Sequence, residues 1–314
     1  MAILSQHLSA LSCLCPKLLI NEPMKAHTSF RIGGPADAVA FPQNRQEMLS
    51  LLEWHGQNAP DLPLCVLGRG SNVLFDDDGF PGLVIITTDI QDITVTPKTE
   101  DLYTVTASCG ASLTGLAKLC GKHIPALKGL SFACGIPGSV GGAVVMNAGA
   151  YGGEMSDVLV SVDYFDTQTK TVRTAHKEEL ALSYRHSVFQ DNPHYIVLSA
   201  TLEMNVGDGE IIQAEMKKNL DARQDKQPLT LPNAGSVFKR PEGAFVGKMV
   251  EECGLKGYTV GGAQVSTKHA GFIVNVNDAT CADVLSLIQH IKDVIFATYG
   301  ITLICEIKYI PSTM

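Results

Sequence analysis

Gly135-Ile136-Pro137-Gly138-Ser139-Val140-Gly141-Gly142 is the stretch on which the fold of this chain turns. It lies inside Gly129 to Gly153, a run of 25 residues with eight glycines, where 29 in 314 would place about two. Such density calls for close approach of another group to the backbone, or for positive φ. The stretch is not the G-x-G-x-x-G dinucleotide fingerprint that follows a strand, and G-x-x-x-x-G-K-[ST] occurs nowhere. Rossmann and P-loop readings therefore lose support. Without Cβ atoms to hold a ligand off, consecutive N–H groups can line a concave anion site of the kind that holds a pyrophosphate. A turn-rich linker would have the same composition.

A second turn, Gly68-Arg69-Gly70-Ser71-Asn72, follows the β-rich run Leu64 to Leu67, and two anion-binding turns suggest a diphosphate. A third, Arg31-Ile32-Gly33-Gly34-Pro35, taken alone reads as a structural hairpin connection. Around these turns the pattern divides the chain into an extension (residues 1–20) and three regions. Region one (21–92) alternates short β-rich runs (Ala38 to Phe41, Leu64 to Leu67, Leu83 to Ile86) with a helix after Asn44. There Asn44 and Glu47 form a capping-box pair, and Met48, Leu51, Leu52 and His55 follow at helical spacing. Region two (93–206) has strands at Tyr103 to Ala107, Leu159 to Phe165 and Tyr195 to Glu203. Its helix carries Leu113, Leu116, Ala117 and Cys120. Region three (207–300) opens with a charged helix, Glu210 to Lys226. Two amphipathic helices follow, one on Val246, Met249, Val250 and Cys253 ending at Gly254, the other on Val284, Leu287, Ile288, Ile291 and Ile295 ending at Gly300. A last strand is expected over Ile301 to Ile310, with Glu306 and Lys308 on one side. The overall class is α+β.

Region three is locally basic, with Lys217, Lys218, Arg223, Lys226, Lys239, Arg240 and Lys248, which suits a small anionic substrate. Lys217 and Lys218 read as a solvated helix face. Lys226 and Lys239 flank the turn Pro232-Asn233-Ala234-Gly235-Ser236, where a loop can hold an exposed side chain. Ser236 lacks a G-x-S-x-G elbow, so a hydrolase nucleophile loses support and a turn hydroxyl remains. Arg185, beside Tyr184, and Glu306 would be costly if buried unpaired, and an ion pair is the simple answer. His269 has no partner at metal-ligand spacing and no metal site is expected.

Composition narrows the class. Hydrophobic residues are 45% and charged residues 18%, as in a folded globular enzyme. Lys plus Arg is 24 against 32 Asp plus Glu, a net charge of −8, so polyanions are repelled and nucleic acid is not an expected partner. Nine cysteines without C-x-x-C spacing read as reduced thiols, hence a cytoplasmic location. Met1 to Cys15 does not read as a signal peptide, and no apolar run is long enough for membrane insertion. A monomer is expected.

In chain order, His27-Thr28-Ser29-Phe30-Arg31-Ile32-Gly33-Gly34-Pro35-Ala36, Leu67 to Asn72, Gly135 to Gly142, Met146-Asn147-Ala148-Gly149-Ala150-Tyr151-Gly152, Tyr184-Arg185, Asn233 to Lys239, Gly254 to Gly257, Gly261 to Ala263 and Glu306 resemble the UDP-N-acetylenolpyruvoylglucosamine reductase (MurB) family, from about His27 to Ile310. The resemblance implies a two-part FAD-binding unit of the vanillyl-alcohol-oxidase (PCMH) type, 21–92 joined by the C-terminal strand (301–314) and 93–206, plus an α+β substrate-binding domain, 207–300. It implies FAD held by Arg31, Gly68, Arg69, Gly70, Ser71, Asn72, Gly135, Ile136, Pro137, Gly138, Ser139, Gly141, Gly142, Asn147, Ala148 and Gly149. NADPH would reduce FAD, and a hydride from flavin N5 would reduce the enolpyruvyl ether of UDP-N-acetylglucosamine to UDP-N-acetylmuramate for peptidoglycan. Arg185 and Glu306 match the residues that stabilise the enolate, Ser236 the proton donor, and Tyr184, Lys226, Asn233 and Lys239 substrate contacts.

About fifty residues separate Arg185 from Ser236, so the resemblance is to short members without a tyrosine-bearing flap. Arg240 and Gly271 stand where many members have Asn. An oxidase of the same flavin fold is the nearest competitor, but many of those tether FAD through a His in the glycine turn, and Gly68 to Asn72 contains none. A silent nucleotide-binding protein would need only the loops.

Overall fold

The computed structural model describes residues 7–312. From the N-terminal side these form α1 (Leu8–Leu14), β1 (Leu18–Pro23), β2 (Pro35–Ala40), α2 (Arg45–Asn58), β3 (Leu64–Leu67), β4 (Val73–Phe75) and β5 (Phe80–Ile86). Next come β6 (Ile93–Pro97), β7 (Leu102–Ser108), α3 (Leu113–Lys122), α4 (Val140–Val145), β8 (Gly149–Ala150), β9 (Gly153–Glu154), β10 (Leu159–Asp166), β11 (Thr171–His176), α5 (Val188–Asp191) and β12 (Tyr195–Asn205). The chain closes with α6 (Gly209–Lys226), β13 (Asn233–Ser236), α7 (Val246–Glu252), β14 (Thr259–Val260), β15 (Ala263–Val265), β16 (Phe272–Asn275), α8 (Cys281–Tyr299) and β17 (Lys308–Ile310). The fold is α+β.

Two compact units interleave along the sequence. One takes the described residues through Leu19, then Val39–Arg69 and Val84–Arg223; the other takes Ile20–Ala38, Gly70–Leu83 and the residues from Gln224 on. The regions drawn from local pattern are consecutive stretches, whereas packing groups residues by strand and helix pairing. The chain changes unit inside β1, β2 and β5.

The first unit is built on a five-stranded antiparallel sheet, β11-β10-β12-β7-β6. Its helices follow from their sequences. In α2 the Asn44 side chain accepts from the Glu47 N–H, and Glu47 returns to the Gln43 N–H at 2.9 Å, one residue earlier than in a capping box. Met48, Leu51, Leu52 and His55 form its buried face, as the spacing predicts. Ser112 caps α3, and Leu113, Leu116, Ala117 and Cys120 are buried. The described part of the extension packs here too: Leu11 of α1 is buried and His7 meets Trp54 edge to face. Residues 1–6 of that extension, and 313–314 of the C-terminal segment, lie outside the described residues.

In the second unit, β13-β16-β15-β14 form an antiparallel sheet, and β17 pairs in parallel with β4. One apolar cluster joins Phe30, Leu74, Val237, Val250, Ile273, Val284, Ile288 and Leu303. The helix α8 starts with a capping box, Thr280 with Asp283, and stops at Gly300 in the left-handed region, φ 69°. The expected long last strand is corrected. Only Lys308–Ile310 is a strand, and the buried residues Leu303, Ile307 and Ile310 do not alternate. Ahead of β17 the chain instead runs alongside the end of β13: Phe238 bridges Cys305, Lys239 N–H donates to Ile304 O at 2.9 Å and Glu306 N–H to Val237 O at 2.8 Å.

Candidate active site

The glycine-rich segment belongs to the first unit and is anchored to the end of β7. Gly141 N–H donates to Cys109 O at 2.8 Å and Val140 N–H to Ala111 O at 2.9 Å. A Cβ on Gly141 would fall 2.9 Å from the Cys109 Cβ, so close approach is what this glycine permits. Ser139, buried, caps α4 by accepting from Gly142 N–H at 3.2 Å. A Cβ on Gly68 would fall 2.1 Å from Ser139 Oγ, so these two glycine turns lie against each other. The N–H groups of Gly138 and Ser139 take no partner among the described residues. Gly135 N–H bonds Thr114 Oγ1, Ile136 N–H bonds Ala133 O, and Pro137 is exposed.

Farther along, Asn147 is fully buried with φ 40°, and its amide is bonded within the protein at both ends. The N–H groups of Asn147 and Ala148 bond Val144 O and Ala143 O. Gly149 O accepts from Arg185 Nη2 at 2.7 Å. Tyr184 and Arg185 are the two central residues of a tight turn in which Ser183 and His186 exchange backbone hydrogen bonds. Arg185, at φ 54°, is half-buried with its guanidinium over the exposed Tyr184 ring, 5.1 Å from the centroid. The sequence gives no sign of this turn or of its strained residue.

The second unit gathers another set. Ser236 ends β13 and is exposed; it does not sit in a turn, as the Pro/Gly content had suggested. Between the pairs Asn233↔Val274 and Ser236↔Phe272, β13 carries one residue more than β16, and Gly235 takes the bulge with φ 80°. Asn233 Oδ1 accepts from Gly235 N–H at 3.0 Å. Ser29 ties this strand to the second glycine turn, donating through Oγ to Asn233 O at 2.6 Å and through N–H to Gly70 O at 3.0 Å. Asn72 Nδ2 donates to the carbonyl of Glu306 at 3.1 Å. Glu306 is half-buried beside Val237 rather than inward on an apolar strand. Lys239 is half-buried, while Lys226, ending α6, and Arg31, at φ 56°, are exposed. Ser71 is half-buried, and neither Gly70 nor Ser71 uses its N–H within the protein among the described residues. Gly33 and Gly34 are packing glycines rather than a two-residue hairpin: added Cβ atoms would come 2.6 Å from Phe75 Cβ and 2.0 Å from Asp77 O. Lys217 pairs with Asp221 on an exposed face, and His269 Nδ1 accepts from Gly271 N–H at 3.0 Å, held within its loop.

Comparison with known proteins decides the family. A model for an FAD binding domain matches residues 36–175, and one for the C-terminal domain of UDP-N-acetylenolpyruvoylglucosamine reductase matches 227–310. The chain is 49% identical over 294 residues to the reductase of that name from Levilactobacillus brevis, covering 94% of this chain and 93% of the relative. The chain belongs to the UDP-N-acetylenolpyruvoylglucosamine reductase family. A second member, from Caldanaerobacter subterraneus, is 43% identical with 94% of each chain covered. The crystal structure of MurB from Thermus caldophilus superposes with a TM-score of 0.76 at 30% identity, covering 94% of this chain and 98% of that one. Membership of this family of oxidoreductases and the matched FAD binding domain make the chain a flavin-dependent enzyme by kinship.

The residues present fit an anionic cofactor. Gly138 and Ser139 offer N–H groups that take no partner among the described residues, beside Gly68 and within the stretch matched as FAD-binding. Arg223, which sequence reasoning placed only in a basic cluster, bonds Gly135 O through Nη1 at 2.5 Å and keeps a buried Nε without a hydrogen-bond partner among the described residues. The signal that could have found it is its type, since a guanidinium beside a glycine turn is a common anion contact. No helix among the described residues is long and apolar enough to cross a membrane.

Proposed function

We propose that this chain reduces the enolpyruvyl group of UDP-N-acetylglucosamine enolpyruvate to UDP-N-acetylmuramate in peptidoglycan synthesis, with NADPH as electron donor. The observation that carries the proposal is the 49% identity to a named reductase along 94% of the chain. FAD would be held by the Gly68 to Asn72 turn and the Gly135 to Gly142 segment, with Ala148 and Gly149 close after that segment in sequence and Arg31 in the third glycine turn. Bound FAD supplies hydride transfer, from NADPH to the methylene carbon of the substrate.

Reduction at the methylene carbon places negative charge on the substrate carboxylate as an enolate. Arg185 stabilises that charge with a fixed planar guanidinium, and Glu306, as a carboxyl donor, adds a hydrogen bond where the charge develops. Ser236 Oγ delivers the proton to the adjacent carbon, a task open to a neutral hydroxyl because the enolate is a strong base. Tyr184, Lys226, Asn233 and Lys239 orient the nucleotide sugar. The nine free cysteines support a reducing, cytoplasmic setting.

Ser236→Ala is expected to leave flavin reduction by NADPH at the parental rate and to slow reoxidation by substrate about 10²- to 10⁴-fold, read by anaerobic stopped-flow absorbance. Equal slowing of both half-reactions would remove Ser236 from proton delivery.

A further inference from the structure

The buried amide of Asn147 links the glycine-rich segment to the turn that carries Arg185. Its Nδ2 donates to Ser183 O at 3.0 Å, and its Oδ1 accepts from Ser156 N–H at 2.9 Å. Two residues earlier, Val145 O accepts from Ser187 Oγ at 2.7 Å and from Gln190 Nε2 at 2.9 Å. Gln190 Nε2 also donates to Arg185 O at 3.0 Å. Two residues beyond Asn147, Gly149 O receives Arg185 Nη2 at 2.7 Å. All of these groups lie in the first unit. Asn147 and Arg185 both hold left-handed backbone, a conformation that Asn tolerates and Arg adopts uncommonly. A polar side chain that is fully buried and bonded at both ends, here to the Ser183 carbonyl and the Ser156 N–H, is a rigid spacer between the segments it joins.

We infer that Asn147 and Gln190 are positioning residues for Arg185: they fix the backbone on either side of it and so set where its guanidinium stands when charge develops on the substrate. The inference rests on the role proposed above for Arg185. Asn147→Asp retains the acceptor for Ser156 N–H and replaces the donor to Ser183 O with an oxygen, so it attacks the link to the turn selectively. Gln190→Ala acts at an exposed position and removes the brace without opening the core. Small displacements of a charge-stabilising group cost rate steeply.

The test is a double-mutant cycle with Arg185→Ala, followed in both half-reactions under anaerobic conditions and with FAD content measured by absorbance. Because the Asn147 amide is spent on Ser183 O and Ser156 N–H rather than on the cofactor, the expected result is retained FAD and unchanged reduction by NADPH, with reoxidation by UDP-N-acetylglucosamine enolpyruvate slowed about tenfold by Asn147→Asp and severalfold by Gln190→Ala. In the Arg185→Ala background neither substitution should slow reoxidation further. Full additivity there would overturn the inference, as would loss of FAD, equal slowing of both half-reactions, or parental reoxidation by Gln190→Ala should Asn147→Asp not fold. Arg185→Ala reoxidising at the parental rate would instead defeat the role of Arg185 itself.

Discussion

Ser236 owes its placement to Gly235, whose φ of 80° absorbs the extra residue of the bulge in β13. An added Cβ at Gly235 would meet nothing within 4 Å among the described residues. Gly235→Ala is therefore expected to cost only the left-handed penalty, about 1–2 kcal/mol, as read by urea denaturation. At Gly34 the Cβ would lie 2.0 Å from a backbone oxygen, so Gly34→Ala should destabilise more than Gly235→Ala; the reverse order would contradict the geometry. What could be read from sequence at single residues was local. Asn44 with Glu47 announces a helix start because cap and partner are three residues apart. Ser236 and Glu306 carry no local signature, so the roles proposed for them rest on the family resemblance, and the bulge that exposes Ser236 depends on pairing with a strand some forty residues away.

The helix α8 is held at its start by more than its own capping box. The Asp77 carboxylate accepts from Cys281 N–H at 2.7 Å and Ala282 N–H at 3.0 Å, two donors a helix N-terminus leaves open. Asp77→Ala should cost about 1–2 kcal/mol, seen as a lower urea midpoint with an unchanged m-value. An unchanged midpoint would mean that water replaces the carboxylate without loss. The helices α2, α3, α7 and α8 were legible from apolar spacing and glycine stops, with Gly254 and Gly300 at φ 71° and 69°. The helix α4 was not, because Val140-Gly141-Gly142-Ala143-Val144-Val145 has poor intrinsic helix propensity. It forms through the Ser139 cap and packing against β12. The last strand was overextended because an apolar run gives no period when burial is decided by several neighbouring elements.

Across the molecule, buried thiols make stability depend on alkaline pH. Burial pushes Cys109 up to about 11 and Cys120 up to about 12. A thiol in the unfolded chain titrates near 8.5, so above about pH 8.5 the unfolded state binds fewer protons than the folded state. Stability is then unaffected by these groups below that pH and falls as pH rises toward the folded values, by at most ~1.4 kcal/mol per pH unit for each thiol. Urea denaturation between pH 8 and 10.5 should show this decline, and replacing both cysteines by Ala should flatten it; an unaltered slope would assign the decline to other groups. The glycine segment, family membership and proposed residue roles meet in a single claim, that a bound flavin passes electrons from NADPH to an enolpyruvyl ether. The direct measurement is the visible spectrum of the purified protein under anaerobic conditions, before and after one equivalent of NADPH and then after UDP-N-acetylglucosamine enolpyruvate. A yellow protein that bleaches with NADPH and regains its colour with that substrate is the expected result. A protein that takes up no FAD, or one whose colour returns only on admitting air, would contradict it.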